Sequence, residues 1–172
     1  MRTLVAYYSR SGNTRRVAEA IATALGADLE PIVDRADRGG ILGYLRAGRD
    51  AYRRRTTRID PPRLDPTGYD LVVVGTPVWA SSVTPAVRTW LAGYRGRMPN
   101  VGLFLTHGGS GRERVFAQMT ELCGHFPLAA LGLRVDELRS GVWESRVRDF
   151  AGELAGLAAR SGTAEAGAGA TG

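Results

Sequence analysis

Leu4-Val5-Ala6-Tyr7-Tyr8-Ser9-Arg10-Ser11-Gly12-Asn13-Thr14 is the stretch on which the reading of this chain turns. Its first part is a short apolar run, the pattern of a strand buried on both faces of a parallel sheet. The run gives way to small polar residues and one glycine. After them Val17, Ala18, Ile21, Ala22 and Leu25 recur at helical spacing, with Arg15, Arg16, Glu19 and Thr23 facing outward. Gly26 stands where a helix C-terminal glycine belongs. A strand that turns directly into a helix opens a βα unit, and the turn here is Ser9 to Thr14.

The same alternation continues downstream. Asp28 to Val33 reads as a second strand, and Leu71-Val72-Val73-Val74-Gly75 as the most deeply buried one. Thr84-Pro85 is a good helix start, because proline is tolerated in the first turn, and Val87, Trp90, Leu91 and Tyr94 supply the apolar face. Val101 to Leu105 is a fourth strand, followed by a helix whose core face carries Val115, Phe116, Met119, Leu122 and Cys123. Leu128 to Val135 supplies a fifth strand, and Trp143, Val147, Phe150, Leu154 and Leu157 mark a final amphipathic helix. Between the second and third strands, Ile41, Leu45, Gly48 and Tyr52 share a helical face opposite Arg46, Arg49 and Arg53, which predicts a helix over about 41–54. Pro61, Pro62 and Pro66 then argue against regular structure until Asp70. Strand–helix alternation of this kind calls for an α/β fold, a doubly wound five-stranded parallel sheet with helices on both faces. Residues 1–160 are expected to form that one domain, and 161–172, all small or polar, a mobile tail.

The 172 residues are 44% hydrophobic, enough for one well-buried core. No apolar run approaches the ~20 residues a membrane span requires. The segment Met1-Arg2-Thr3-Leu4-Val5 lacks the pattern of a secretory signal, so the cytoplasm is the expected compartment. Cys123 is the single cysteine, which excludes an intramolecular disulfide. The net charge is +6, and all 23 basic residues are arginine. That balance admits a nucleic-acid-binding module without cofactor, but the arginines are spread along the chain, denser only between Arg46 and Arg63. The absence of lysine reads more simply as a genomic preference.

In sheets of this class, ligands bind outside the carboxyl ends of the strands, where the strand order reverses. Three loops are expected there, Ser9 to Thr14, Thr76 to Ser82 and Thr106 to Arg112. The first offers the hydroxyls of Ser9, Ser11 and Thr14, the amide of Asn13 and the backbone of Gly12, directly at a helix N-terminus. The helix dipole contributes only ~0.3–1 kcal/mol toward an anion. Charge-assisted hydrogen bonds at ~1.5–3 kcal/mol each carry more, and this composition supplies their donors. A phosphate group is therefore the expected ligand. A capped helix start would need one Ser or Thr, not this run. No G-x-G-x-x-G follows the first strand, and a P-loop or a phosphate-receiving domain would need a lysine that the chain does not contain.

With these loops in view, the sequence resembles the flavodoxin family over roughly residues 1–160. Ser9-Arg10-Ser11-Gly12-Asn13-Thr14 is similar to its FMN-phosphate loop, Thr76-Pro77-Val78-Trp79 to its second flavin loop, and Thr106-His107-Gly108-Gly109-Ser110 stands in the place of the third. The resemblance implies a three-layer sandwich with strand order 2-1-3-4-5 and FMN as cofactor. It implies phosphate contacts from Ser9, Ser11, Gly12, Asn13 and Thr14, with Arg10 adding charge or facing water. Trp79 would stack on the ring; its alternative is a rim or core aromatic. Gly108 and Gly109 would allow close backbone approach or form a plain turn, and His107 would bond the flavin or a substrate or be solvated. Two departures from the family are visible: the third loop has no aromatic to cover the outer ring face, and the chain is basic where electron-carrier flavodoxins are usually acidic. The expected function is electron transfer by bound FMN with a redox partner protein or small acceptor. The alternative is an NAD(P)H-dependent FMN oxidoreductase acting on a quinone or other small acceptor.

Overall fold

The strand expected at Leu4–Tyr8 spans Thr3–Tyr7 (β1), and every one of its side chains is buried. A computed structural model describes residues 1–36, 49, 53 and 55–168. The helix expected over about 41–54 lies outside the described residues apart from Arg49 and Arg53. The elements are β1, α1 (Asn13–Leu25), β2 (Asp28–Pro31), β3 (Leu71–Trp79), β4 (Ser82–Val83), α2 (Pro85–Gly93), β5 (Val101–His107), α3 (Arg112–Cys123), β6 (Ala129–Arg134) and α4 (Trp143–Ala168).

Five strands run parallel in the order β2-β1-β3-β5-β6, which is the 2-1-3-4-5 order that the flavodoxin resemblance implies. The register pairs Leu4 with Asp28 on one side and with Val72 on the other, and Val72 in turn with Val101. The sixth strand, β4, was not expected. It pairs antiparallel with the end of β3, matching Val78 to Val83 and Trp79 to Ser82. β3 reaches four residues past Gly75, and much of the second expected loop is strand. The proline-rich stretch also holds one short regular piece, a 3-10 turn at Pro66–Gly68 capped by the Asp65 carboxylate, which accepts from the Thr67 N–H.

Because β residues alternate between faces, each buried strand feeds two cores. Leu4, Ala6, Val72, Val74, Leu103 and Leu105 pack against Val87, Trp90, Val115 and Met119 of α2 and α3. Val5, Val73, Phe104, Leu131 and Leu133 pack against Val17 and Ile21 of α1 and Val147, Phe150 and Leu154 of α4. Full burial of such a side chain stabilises by ~1.5–3 kcal/mol. Cys123 is in the first core, as its place on the helical face implied, and burial pushes its thiol up to about 12. Gly75 has a packing reason: a Cβ there would lie 1.9 Å from Cζ of Phe104. The ring of Phe104 occupies the space that any side chain at this position would take. α4 continues beyond Ser161, into the segment expected to be a mobile tail, as far as Ala168. Ala164, Ala166 and Ala168 are strong helix formers, and an anchored helix adds residues at little cost.

α1 follows β1 onto one face of the sheet and α2 follows β3 onto the other. The two crossovers therefore part between β1 and β3, leaving a crevice at their carboxyl ends. The candidate site is there. No helix among the described residues is long and apolar enough to cross a membrane.

Candidate functional site

The first loop turns at Gly12, whose φ of +90° is one that L side chains rarely adopt. Gly12 is also the N-cap of α1, and the helix has neither a side-chain cap nor an acidic residue in its first turn. Helix geometry leaves the first-turn N–H groups without intrahelical acceptors, so Asn13, Thr14 and Arg15 present donors toward the loop. The side chains are arranged around them. Ser9 Oγ accepts from the Gly12 N–H at 3.2 Å, and Asn13 Nδ2 donates to Ser11 Oγ at 3.4 Å. Arg15 adds a cation to the first turn, paired with Glu19 at 2.7 Å on the exposed side. The arrangement is a small electropositive cradle made mostly of backbone and hydroxyl groups.

The second expected loop is a tight hairpin. Ala80 and Ser81 connect β3 to β4 with φ of 47° and 53°, the type I′ pattern of two successive left-handed residues. Neither is glycine, and each such residue costs ~1–2 kcal/mol. Trp79 ends β3 just before this turn, half-buried, with its ring edge-on to Tyr8 at 5.5 Å and 86°. Pro77 and Trp79 face Arg10 and Ser11 across a cavity of about 380 Å³. Val78 and Trp79 both pack against the first core, and Val78 does not line this cavity. Thr76 is fully buried, and its hydroxyl lies 3.1 Å from that of Thr84. Thr76 thus braces the start of α2.

The third loop is shorter than expected, because Thr106 and His107 are the last residues of β5 and both are buried. Thr106 Oγ1 is 2.8 Å from Thr14 Oγ1, a buried hydroxyl pair that ties the end of β5 to the first turn of α1. His107 was expected in a loop. Instead its Nδ1 accepts from the Gly109 N–H at 3.2 Å. Burial, with Arg112 and Arg134 nearby, holds this imidazole below the usual histidine range, which favours the neutral form. Gly108 and Gly109 are exposed.

Neither a family model nor a curated protein matches this chain by sequence. Solved structures do match in shape. A flavoprotein of Lactobacillus acidophilus NCFM, solved with FMN, superposes with a TM-score of 0.67 at 22% identity, covering 81% of this chain and 96% of that one. A Bacteroides eggerthii protein, described provisionally as a flavoprotein, gives 0.68 at 23% identity over 90% and 98%. A P. pentosaceus protein described as an NADPH-quinone reductase gives 0.51 at 10% identity over 90% and 98%. The fold is flavodoxin-like.

Within this flavodoxin-like frame, Arg10, Ser11, Pro77 and Trp79 meet around one cavity, Ser9 and Gly12 line a second, and Asn13 is tied to the first through its bond to Ser11. Thr14 is buried and lines neither cavity, and its hydroxyl is turned to Thr106. Arg10 also borders the second cavity, of about 400 Å³, between the first loop and residues Ile32 to Asp34. Two contributors were not anticipated. Tyr8 was read only as the last strand residue, yet it supports Trp79. The hairpin turn carries no Asn-Gly or Asp-Gly signal, so β4 left no mark in the sequence. Many arginines are engaged locally, as in Arg35–Asp60 at 2.5 Å, Arg134–Asp136 at 2.7 Å and Arg146–Glu137 at 2.9 Å, which weakens the nucleic-acid alternative. Among the described residues no cluster of three or more His, Cys, Asp or Glu side chains is placed to hold a metal ion.

Proposed function

We propose that this protein binds FMN at the crevice between β1 and β3 and acts in electron transfer. The observation that carries the reading is the start of α1. It has no side-chain cap and no acidic residue, and its loop of hydroxyls sets Arg10 and Ser11 on the cavity walled by Pro77 and Trp79, while Ser9, Gly12 and Arg15 line the neighbouring one. A dianionic phosphate is the chemical complement of those donors. Its holders would be the N–H groups of the first turn of α1 together with Ser9, Ser11 and Asn13. Trp79, braced by Tyr8, would lie against the flavin ring and keep water from that side. When bound, FMN supplies the redox chemistry, and the protein holds the cofactor and tunes its electronics. The FMN-bound protein of L. acidophilus supports the reading through its shared fold. Titration of the apoprotein with FMN, followed by flavin fluorescence, tests it. Ser11→Ala should weaken binding by roughly 1–3 kcal/mol, the cost of a lost hydrogen bond to a charged group. Equal affinity in Ser11→Ala and wild type removes this loop from the site.

One observation favours a second reading, an NAD(P)H-dependent reductase of a quinone or other small acceptor. Gly108 and Gly109 are exposed and the third loop offers no aromatic, so the outer face of a flavin on Trp79 would be open to a second planar molecule. Anaerobic addition of NAD(P)H to the FMN-loaded protein separates the two. Rapid bleaching of the flavin identifies a reductase, and a stable yellow colour identifies a carrier served by a partner protein.

A further inference from the structure

The hairpin that carries Trp79 does not hold itself in place. It has two ladder pairs, and its turn places Ala80 and Ser81 in the left-handed region without a glycine. A two-stranded ribbon of this size is marginal without outside support. The support comes from α3. Gln118, only 4% exposed, accepts three hydrogen bonds at Oε1: from Ser82 Oγ at 2.9 Å, the Val83 N–H at 3.2 Å and Arg88 Nη2 at 2.9 Å. Arg88 Nη2 also reaches Ser82 Oγ at 3.3 Å, and both residues are buried. The amide orientation is fixed by chemistry, since turning it over would set its NH2 against the N–H donors of Val83 and Arg88. In that orientation Gln118 Nε2 is buried without a hydrogen-bond partner. The amide thus acts on the hairpin through its oxygen. A second contact comes from the residue before α3, where a Cβ on Gly111 would fall 2.8 Å from Cα of Ser81.

We propose that Gln118, which does not line the cavity, is a positioning residue for the flavin site: its side-chain oxygen fixes the β3–β4 hairpin and thereby the placement of Trp79. This deepens the FMN reading and rests on it. It also means that the second and third site loops are joined mechanically, since α3 begins where the third loop ends.

The test uses Gln118→Met, which keeps the volume and removes the acceptor, and Gln118→Glu, which keeps an acceptor. Amide hydrogen exchange is first measured in the apoprotein. Gln118→Met should speed exchange at Val83 and along residues 78–83 by about tenfold relative to β1 and β5. FMN affinity should fall by about the same factor, and Gln118→Glu should restore both to within about threefold of wild type. Unchanged hairpin exchange in Gln118→Met overturns the proposal, as does a loosened hairpin with undiminished FMN affinity. If Gln118→Met does not fold, Ser82→Ala, which removes only its hydroxyl bonds, decides by the same two readouts at about threefold. Failure of the wild-type protein to take up FMN would overturn the functional reading instead. The exchange measurement on the apoprotein, which needs no flavin, would still decide whether Gln118 clamps the hairpin.

Discussion

Replacement of Gly12 by alanine isolates the backbone contribution of the first loop. A Cβ at this position would meet nothing within 4 Å, so no clash accompanies the change. What remains is the φ of +90°, which costs an L residue ~1–2 kcal/mol. The chain has two ways to absorb that cost. If the loop keeps its shape, stability falls by that amount, and for a domain of this size each kcal/mol lowers Tm by ~2–4 °C. A loss of about 2–8 °C in the apoprotein follows. If the loop relaxes, stability is largely kept, but the first-turn N–H groups of α1 lose their convergence and FMN affinity falls instead, by up to about tenfold per 1.4 kcal/mol. Scanning Tm with and without saturating FMN measures both routes, because ligand binding adds to stability in proportion to the logarithm of its affinity. Asparagine tolerates the left-handed region, so Gly12→Asn should fall between wild type and Gly12→Ala. The reasoning is refuted if alanine and asparagine behave alike, or if Gly12→Ala leaves both Tm and FMN affinity at wild-type values.

Gly75→Ala should be destabilising at the upper end of the ~1–3 kcal/mol typical of overpacking a core, since three ring atoms of Phe104 lie within 2.6 Å of the added carbon. Adding Phe104→Ala should recover part of the loss in a denaturant titration, whereas strict additivity would refute the contact. His107 is held below its ordinary value, so the unfolded chain takes up its proton first as pH falls. Its contribution is therefore fully present above about pH 6.5 and is lost as pH drops from there toward the lower folded value; a His107→Gln variant should show a flatter stability profile in that window. An identical slope in wild type and variant would show that other groups set the acid limb. The Cys123 thiol, buried and pushed up to about 12, should resist alkylation at pH 8 in the folded protein and react fully in denaturant. Fast labelling of the native state would show that the helix end bearing Cys123 opens readily.

The five parallel strands were readable because buried runs such as Leu71–Val74 alternate with helical periods, whereas their order came with the flavodoxin resemblance. The candidate phosphate loop stood out for a local reason, since hydroxyls, glycine and helix start are contiguous from Ser9 to Thr14. Most of what escaped was decided by contacts distant in sequence. Thr76 and Pro77 extend β3 by pairing with Leu105 and Thr106 of β5, and only Val78 and Trp79 rest on β4, across a turn that uses Ala80-Ser81 in place of the glycine-bearing pairs that announce such hairpins. His107 seemed a loop residue because Gly108-Gly109 follows it, but pairing with Arg134 of β6 keeps it in the sheet. Gln118 stood on a helix as one more polar residue, and its orientation toward Ser82 follows only from the packing of α3 on the hairpin. The glycine in Leu71–Gly75 looked like a strand end, whereas its cause is the Phe104 ring one strand away.

The hydroxyls of Thr14 and Thr106 stand 92 residues apart in the chain and are each other's buried hydrogen-bond partners. Valine at one position alone strands the other hydroxyl away from water, at roughly 1–3 kcal/mol, whereas valine at both replaces a polar contact with an apolar one of the same shape and costs little. Mutational drift at this spot is therefore gated: a lineage leaves the threonine pair by two changes close together or stays with it. Related proteins should hold either both hydroxyls or neither, a correlation that any sufficiently deep set of homologues would reveal.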